Sequence, residues 1–167
     1  MDSASGSQVT FDRCIFKSNP SSTGGANGFI GYVATSGTSK KMNAVFNGCV
    51  FVIKTTASGV EVFRNRDNGN GYLGLNGCSI SHSVGGASVV FTGLGSGFVK
   101  NTIIYGASAG ITKGTAFSET YNCYYNIGES ANAANNIIVD DPQFVDPANG
   151  DLRLRPTSPC IGAGTAS

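Results

Sequence analysis

The chain has no tryptophan, a single histidine and two methionines, and charged residues make up only 13% of it. The missing indole removes the usual stacking platform for a sugar ring, leaving six tyrosines as the polar-tipped aromatic faces. No Cys/His metal spacing, phosphate-binding loop or serine nucleophile elbow appears, so the sequence implies no cofactor and no metal ligands. Lys and Arg are scattered and the formal net charge is +1, so nothing clusters to neutralise phosphates and nucleic acid is not an expected partner. No apolar run approaches the ~18 residues of a membrane span, so a membrane is not expected either. The opening "MDSASGSQVTF" has neither a basic start nor an apolar core, so no signal peptide is expected in this chain.

What is present is glycine, at 24 of 167 residues, together with much Ser, Thr and Asn. Such a sequence favours turns over helices. A hydrophobic share of 40% is too high for a chain disordered by composition, and the length suits one domain with its own core. An all-β domain with many corners is expected.

The corners repeat. "FDRCIF" from Phe11, "FNGCVF" from Phe46 and "LNGCSI" from Leu75 are near-copies, and "FVKNTI" from Phe98 and "TYNCYY" from Thr120 are weaker ones. Aligned on the cysteine, they give three columns. The first is Phe11, Phe46, Leu75, Phe98 and Thr120. The second is Cys14, Cys49, Cys78, Asn101 and Cys123, and the third is Phe16, Phe51, Ile80, Ile103 and Tyr125. The second and third columns are two residues apart and share a strand face. The first and second are three apart, so the two residues between must turn a corner to restore the inward direction. Asn, Asp and Gly recur in those pairs and tolerate left-handed backbone. Further strands are expected at 28–34, 59–63, 87–91, 110–114 and 135–139.

Three short strands recurring at intervals of roughly 20–35 residues match one rung of a parallel β-helix, a solenoid here of about five rungs. Phe46, Cys49, Phe51, Leu75, Cys78 and Ile80 should be buried at its centre. The cysteines read as small buried residues at a tight corner. In a straight stack their Cβ atoms lie about 4.8 Å apart, beyond the span a disulfide wants, so reduced thiols are expected.

The segment 140–167 differs in texture and reads as a closing segment, or cap, on the rungs of 1–139, within the same domain. Asn149-Gly150 marks a tight turn, Leu152 and Leu154 alternate with Asp151, Arg153 and Arg155, and Pro156 and Pro159 forbid a continuing ladder. An open solenoid end invites aggregation, and this segment is expected to cover it. Its residues Asp141, Pro142, Phe144, Val145, Asp146, Pro147, Gly150, Asp151, Arg153, Leu154, Ser158, Pro159, Ile161, Ala163 and Gly164 follow a closing motif, roughly "DP-x-F-V-D-P-x-x-G-D-x-R-L … S-P-A-I-D-A-G". In this the chain resembles the right-handed parallel β-helix, or pectate-lyase-like, superfamily. Cys160 stands where that motif has Ala, and Gly162 where it has Asp. The resemblance implies the fold and leaves the function open, since lyases, hydrolases, tailspikes and adhesins share it.

Lyases of this superfamily imply a Lys or Arg base, often beside carboxylates holding calcium. The nearest match is the binding candidate formed by Arg64, Arg66 and Asp67 of "RNRDNGNG", with Lys54 upstream, against the plainer reading of a solvated polar loop. No residue stands out as catalytic. His82 is read as ending a strand, equivalent to Ile53 and Tyr105, rather than as a general base. Tyr32, Tyr72 and Tyr124 are candidates for outward-facing aromatics. The expected function is a non-enzymatic, surface-exposed structural or attachment protein, such as a virion decoration or spike subunit, located on a virion surface or outside the cell. It would self-associate or dock on a larger assembly through its N-terminal rung. The alternatives are the C-terminal part of a polysaccharide lyase or glycoside hydrolase, or a module that binds polysaccharide.

Overall fold

The computed structural model describes residues 8–18, 30–32, 43–54, 62–65, 71–82, 91–92, 94–106, 116–127 and 140–165. They form an all-β architecture with almost no helix. The first sheet contains β1 (Val9–Asp12), β4 (Asn43–Asn47), β7 (Gly71–Asn76), β10 (Leu94–Lys100) and β12 (Ala116–Thr120), in that order. The second contains β2 (Ile15–Lys17), β5 (Val50–Ile53), β8 (Ser79–His82), β11 (Ile103–Tyr105) and β13 (Cys123–Tyr125). The third contains β3 (Ile30–Tyr32), β6 (Phe63–Asn65) and β9 (Phe91–Thr92). Every pairing within these sheets is parallel.

Parallel neighbours cannot be joined by a tight hairpin. In the first three circuits the chain leaves the first sheet for the second, then passes through the third before it returns, so each of them adds one strand beside the last. The strand expected at 28–34 contains β3, whereas β6 and β9 begin only at the last residues of the ranges expected at 59–63 and 87–91, Phe63 and Phe91. Those expected at 110–114 and 135–139 lie outside the described residues.

A corner joins the first two sheets in every circuit, and one backbone conformation recurs in it. Arg13, Gly48, Gly77, Asn101 and Tyr121 all have φ between 51° and 63°. Glycine adopts this left-handed region freely and asparagine at modest cost; a β-carbon makes it costlier for arginine and tyrosine.

The corner also corrects the predicted columns. The inward column of the first sheet is Phe11, Phe46, Leu75, Val99 and Glu119, and that of the second sheet is Phe16, Phe51, Ile80, Ile104 and Tyr124. The first three members of each are as expected. The last two differ by one residue, because Asn101 is itself the left-handed corner residue and Asn122 takes the place expected for Cys123. Phe98 therefore faces away from the core column and lies across Gly74, where a β-carbon would sit 2.7 Å from its ring.

Inside, the three walls meet through aromatic rings. Phe46 and Phe51 have ring centroids 5.4 Å apart, and Phe63 of the third wall lies 5.4 Å from Phe46 and 5.2 Å from Phe51. Along the stack the rings lie face to face, Phe11 on Phe46 at 4.8 Å and Phe16 on Phe51 at 4.9 Å, the spacing of adjacent strands. The six residues expected at the centre are all buried. Phe51→Ala removes a ring that touches Phe16, Phe46 and Phe63, and should cost about 3–5 kcal/mol in denaturant unfolding. A loss under about 1 kcal/mol would contradict this packing.

Candidate functional site

The proposed binding residues do not converge among the described residues. Lys54 follows β5 and is held by its main chain: its N–H donates to Ser18 Oγ at 2.7 Å, and that hydroxyl lies 3.3 Å from its carbonyl. Arg64 is the middle residue of β6, in register with Gly31 and Thr92. Arg66 and Asp67 lie outside the described residues. His82 is a buried residue of β8, paired with Ile53 as expected but lying against Gly106 rather than Tyr105. Tyr124 is buried in the inward column rather than facing outward, whereas Tyr72 is half-buried and meets the edge of Phe98. Among the described residues, no three His, Cys, Asp or Glu side chains are grouped so as to hold a metal.

The corner column has a chemical role that its residue sizes do not reveal. Each corner withdraws one N–H and one C=O from the parallel ladder, and buried main-chain groups need partners. The side chain one circuit on bridges them. Cys49 Sγ accepts from Cys14 N–H at 3.4 Å and lies 3.4 Å from the Phe11 carbonyl, to which its S–H donates. Cys78 Sγ reaches the Phe46 carbonyl at 3.3 Å, and Thr102 Oγ1 accepts from Cys78 N–H at 3.3 Å. Asn122 does both jobs with an amide: Oδ1 accepts from Thr102 N–H at 3.0 Å, and Nδ2 donates to the Val99 carbonyl at 2.8 Å. Cys49 and Asn122 thus bridge both groups, whereas Thr102 takes only the N–H and donates its hydroxyl to the Lys100 carbonyl at 2.9 Å. Burial raises the Cys49 thiol pKa and pushes that of Cys78 up to about 12.

Cys123 lies outside this ladder. It belongs to the outward column Ile15, Val50, Ser79, Ile103 and Cys123 of the second sheet. The C-terminal segment lies against this outer face. Its hairpin pairs β14 (Phe144–Asp146) with β15 (Asp151–Leu154), antiparallel, through a 3-10 turn at Pro147–Asn149. Phe144 and Leu152 pack with Val52, and Val50, Ile103, Tyr105 and Leu154 surround them. Where the sequence suggested an end cover, the described residues of this segment brace the side of the stack.

The closing-motif residues build that brace. Asp146 accepts from Asn149 N–H, and Gly150, at φ 85°, approaches Val52 so closely that a β-carbon would sit 3.0 Å from it. Arg153 clasps Asp151 through two nitrogens at 2.8 and 2.6 Å. Ser158 Oγ donates to the Pro142 carbonyl at 2.6 Å and accepts from Cys160 N–H at 3.2 Å. The tail then returns to a corner, where the Asn101 amide pairs with both main-chain groups of Thr165 at 2.9 and 3.2 Å.

Between tail and corners is a cavity of about 230 Å³ whose wall includes Asn101, Tyr121, Cys123, Leu154 and Cys160. Cys123 and Cys160 lie together in this wall, and their interaction raises the Cys123 pKa and lowers that of Cys160, while the Cys123 S–H donates to the Asp140 carbonyl at 3.8 Å. Residue spacing gave no hint of this pair, because Cys160 comes from outside the repeat.

A second feature is the open first circuit. Among the described residues β1 and β2 each pair on one side only, with β4 and β5. Val9 is 51% and Ile15 65% exposed, and Phe11 and Phe16 are half-buried at the end of the aromatic stack.

No protein-family model, curated protein or solved structure matches the chain.

Two predictions follow from the corner ladder. Asn122→Ala leaves Thr102 N–H and Val99 C=O without this bridge and should cost about 1–3 kcal/mol in denaturant unfolding. The raised Cys78 pKa makes stability pH-dependent. Below pH 9 the thiol is neutral in both folded and unfolded chains; between about 9 and about 12 only the unfolded chain ionises, so stability falls as pH rises through that window. In Cys78→Ala the slope of unfolding free energy against pH should be measurably shallower there; an unchanged slope contradicts the assignment.

Proposed function

We propose that this chain is a right-handed parallel β-helix acting as a non-enzymatic structural or attachment module that docks through its first circuit onto a larger assembly. The cyclic visiting of three parallel sheets supports the helix, and the near-universal right-handedness of parallel crossovers supports its hand. The closing-motif resemblance points the same way and suggests the pectate-lyase-like superfamily.

The observation that carries the docking reading is the one-sided pairing of β1 and β2 beside a half-covered aromatic stack. Unpaired strand edges template association, and half-burial of Phe11 and Phe16 leaves roughly half of the ~1.5–3 kcal/mol that full burial of each would give still to be gained. That is a sizeable fraction of the ~5–15 kcal/mol stability of a whole domain. Asp12, Arg13 and Lys17 are exposed along the same edge, and their charges penalise indiscriminate pairing. A partner with complementary charges at those positions would recover both terms. A virion surface is the setting we favour, because a reduced, buried cysteine ladder suits a protein folded in a reducing cytosol.

At micromolar concentration the chain should sediment as an oligomer or bind its assembly, and Ile15→Glu should weaken that association at least tenfold while leaving the fold intact. A stable monomer in which hydrogen exchange protects β1 as well as β7 would remove the reading. Turnover of pectin, alginate or chondroitin, lost on Arg64→Ala or Arg66→Ala, would replace it with an enzymatic one.

A further inference from the structure

Five cysteines are free in this structure, and they divide into two chemical groups. Cys14, Cys49 and Cys78 belong to the corner ladder, spaced one circuit apart and engaged with main-chain groups. Cys123 and Cys160 face each other across the wall of a cavity, one on the rigid second sheet and the other on the tail. Each alters the other's proton affinity, and the Cys123 S–H donates to the Asp140 carbonyl at 3.8 Å. Cys160 is half-exposed, whereas Cys123 is buried behind it at 4%. The tail is positioned from both sides of Cys160, by Ser158 on Pro142 and by Thr165 on Asn101. An accessible thiol therefore sits beside a shielded one in a fixed place.

We infer that Cys123 and Cys160 are a thiol–disulfide pair that latches the C-terminal tail to the second sheet, with a small-molecule disulfide such as oxidised glutathione as the oxidant. Cys160 Sγ, as the thiolate, attacks one sulfur of the oxidant. The oxidant's S–S bond breaks, a mixed disulfide forms on Cys160, and the first glutathione thiolate leaves with the Cys160 proton. Cys123 Sγ then attacks the Cys160 sulfur, forming the Cys123–Cys160 bond and expelling the second glutathione, which takes the Cys123 proton. Two protein thiols are oxidised and one glutathione disulfide is reduced to two thiols. Cys160 is the more exposed of the two, and its pKa is lowered beside Cys123, which assigns Cys160 as the attacking group and Cys123 as the resolving one. Ladder thiols are poor competitors, because burial favours the neutral form of Cys49 and Cys78 and stacked Cβ atoms lie about 4.8 Å apart.

The test uses the full chain, reduced and then equilibrated with oxidised glutathione under native conditions. Free thiols are then alkylated, and the protein is digested with trypsin, whose cleavage after Arg153 separates the two cysteines. The expected result is one crosslink, between the peptides carrying Cys123 and Cys160, with Cys14 alkylated and uncrosslinked and the buried Cys49 and Cys78 alkylated only after unfolding. Cys123→Ser should trap glutathione on Cys160, and Cys160→Ser should abolish the reaction. The latched protein should melt roughly 5–10 °C above the reduced one. Wild-type protein that stops at a mixed disulfide on Cys160, fails to react, or crosslinks through the ladder overturns the pair. A Cys123–Cys160 crosslink without a rise in Tm overturns the latch.

Discussion

Parallel strands stacked in register place each residue directly beside its counterpart one circuit away, and this constraint governs the rest of the molecule. Phe11 lies on Phe46 and Phe16 on Phe51 at the strand spacing because register leaves them nowhere else. The same constraint aligns the left-handed corner residues Arg13, Gly48, Gly77, Asn101 and Tyr121. It also lines up the main-chain groups that each corner removes from the ladder. A column of Cys, Thr and Asn side chains then stitches those groups together, so that corner geometry and core packing are set by a single register.

The two ends of the stack differ because its inward columns change along their length. Phe11, Phe46 and Leu75 give way to Val99 and then to Glu119, and Phe16, Phe51 and Ile80 to Ile104 and Tyr124. Among the described residues the edge strands pair on one side only at both ends, β1 and β2 at one and β12 and β13 at the other, and it is the first of these ends that is apolar and aromatic. Attachment through that end is the physical content of the proposed function. The outer face of the second sheet is apolar for its own reason: Val50, Val52, Ile103 and Tyr105 lie under the hairpin that carries Phe144 and Leu152. The closing-motif residues Asp146, Gly150 and Ser158 thus shape a turn, a close contact and a tail anchor.

Much of this was legible in the chain. Glycine-rich composition and scarce charge pointed to an all-β domain, and the three strong repeats placed Phe46, Cys49, Phe51, Leu75, Cys78 and Ile80 in the core. The two weak repeats were misaligned by one residue each, in opposite directions. Asn was the source of both shifts, because it serves two purposes in this fold. At Asn101 it supplies a left-handed backbone, and at Asn122 its amide bridges an N–H and a C=O. A one-dimensional pattern cannot separate those uses, since both put Asn near a corner.

The sequence by itself determined the strand repeat, the approximate place of its corners and the turn of the terminal hairpin, because these depend on short-range backbone preference and two-residue periodicity. Only the tertiary structure decided where the terminal segment lies and which cysteines meet. Residues 140–165 could cover an end or a side with the same turn residues, and the apolar outer face of β5 and β11 selects the side. Cys123 reads as a fifth member of the ladder until register turns it outward, toward a cysteine that no repeat contains. Contacts between residues far apart in the chain depend on how stacked circuits align, and that alignment is set by the whole column rather than by any one segment of it.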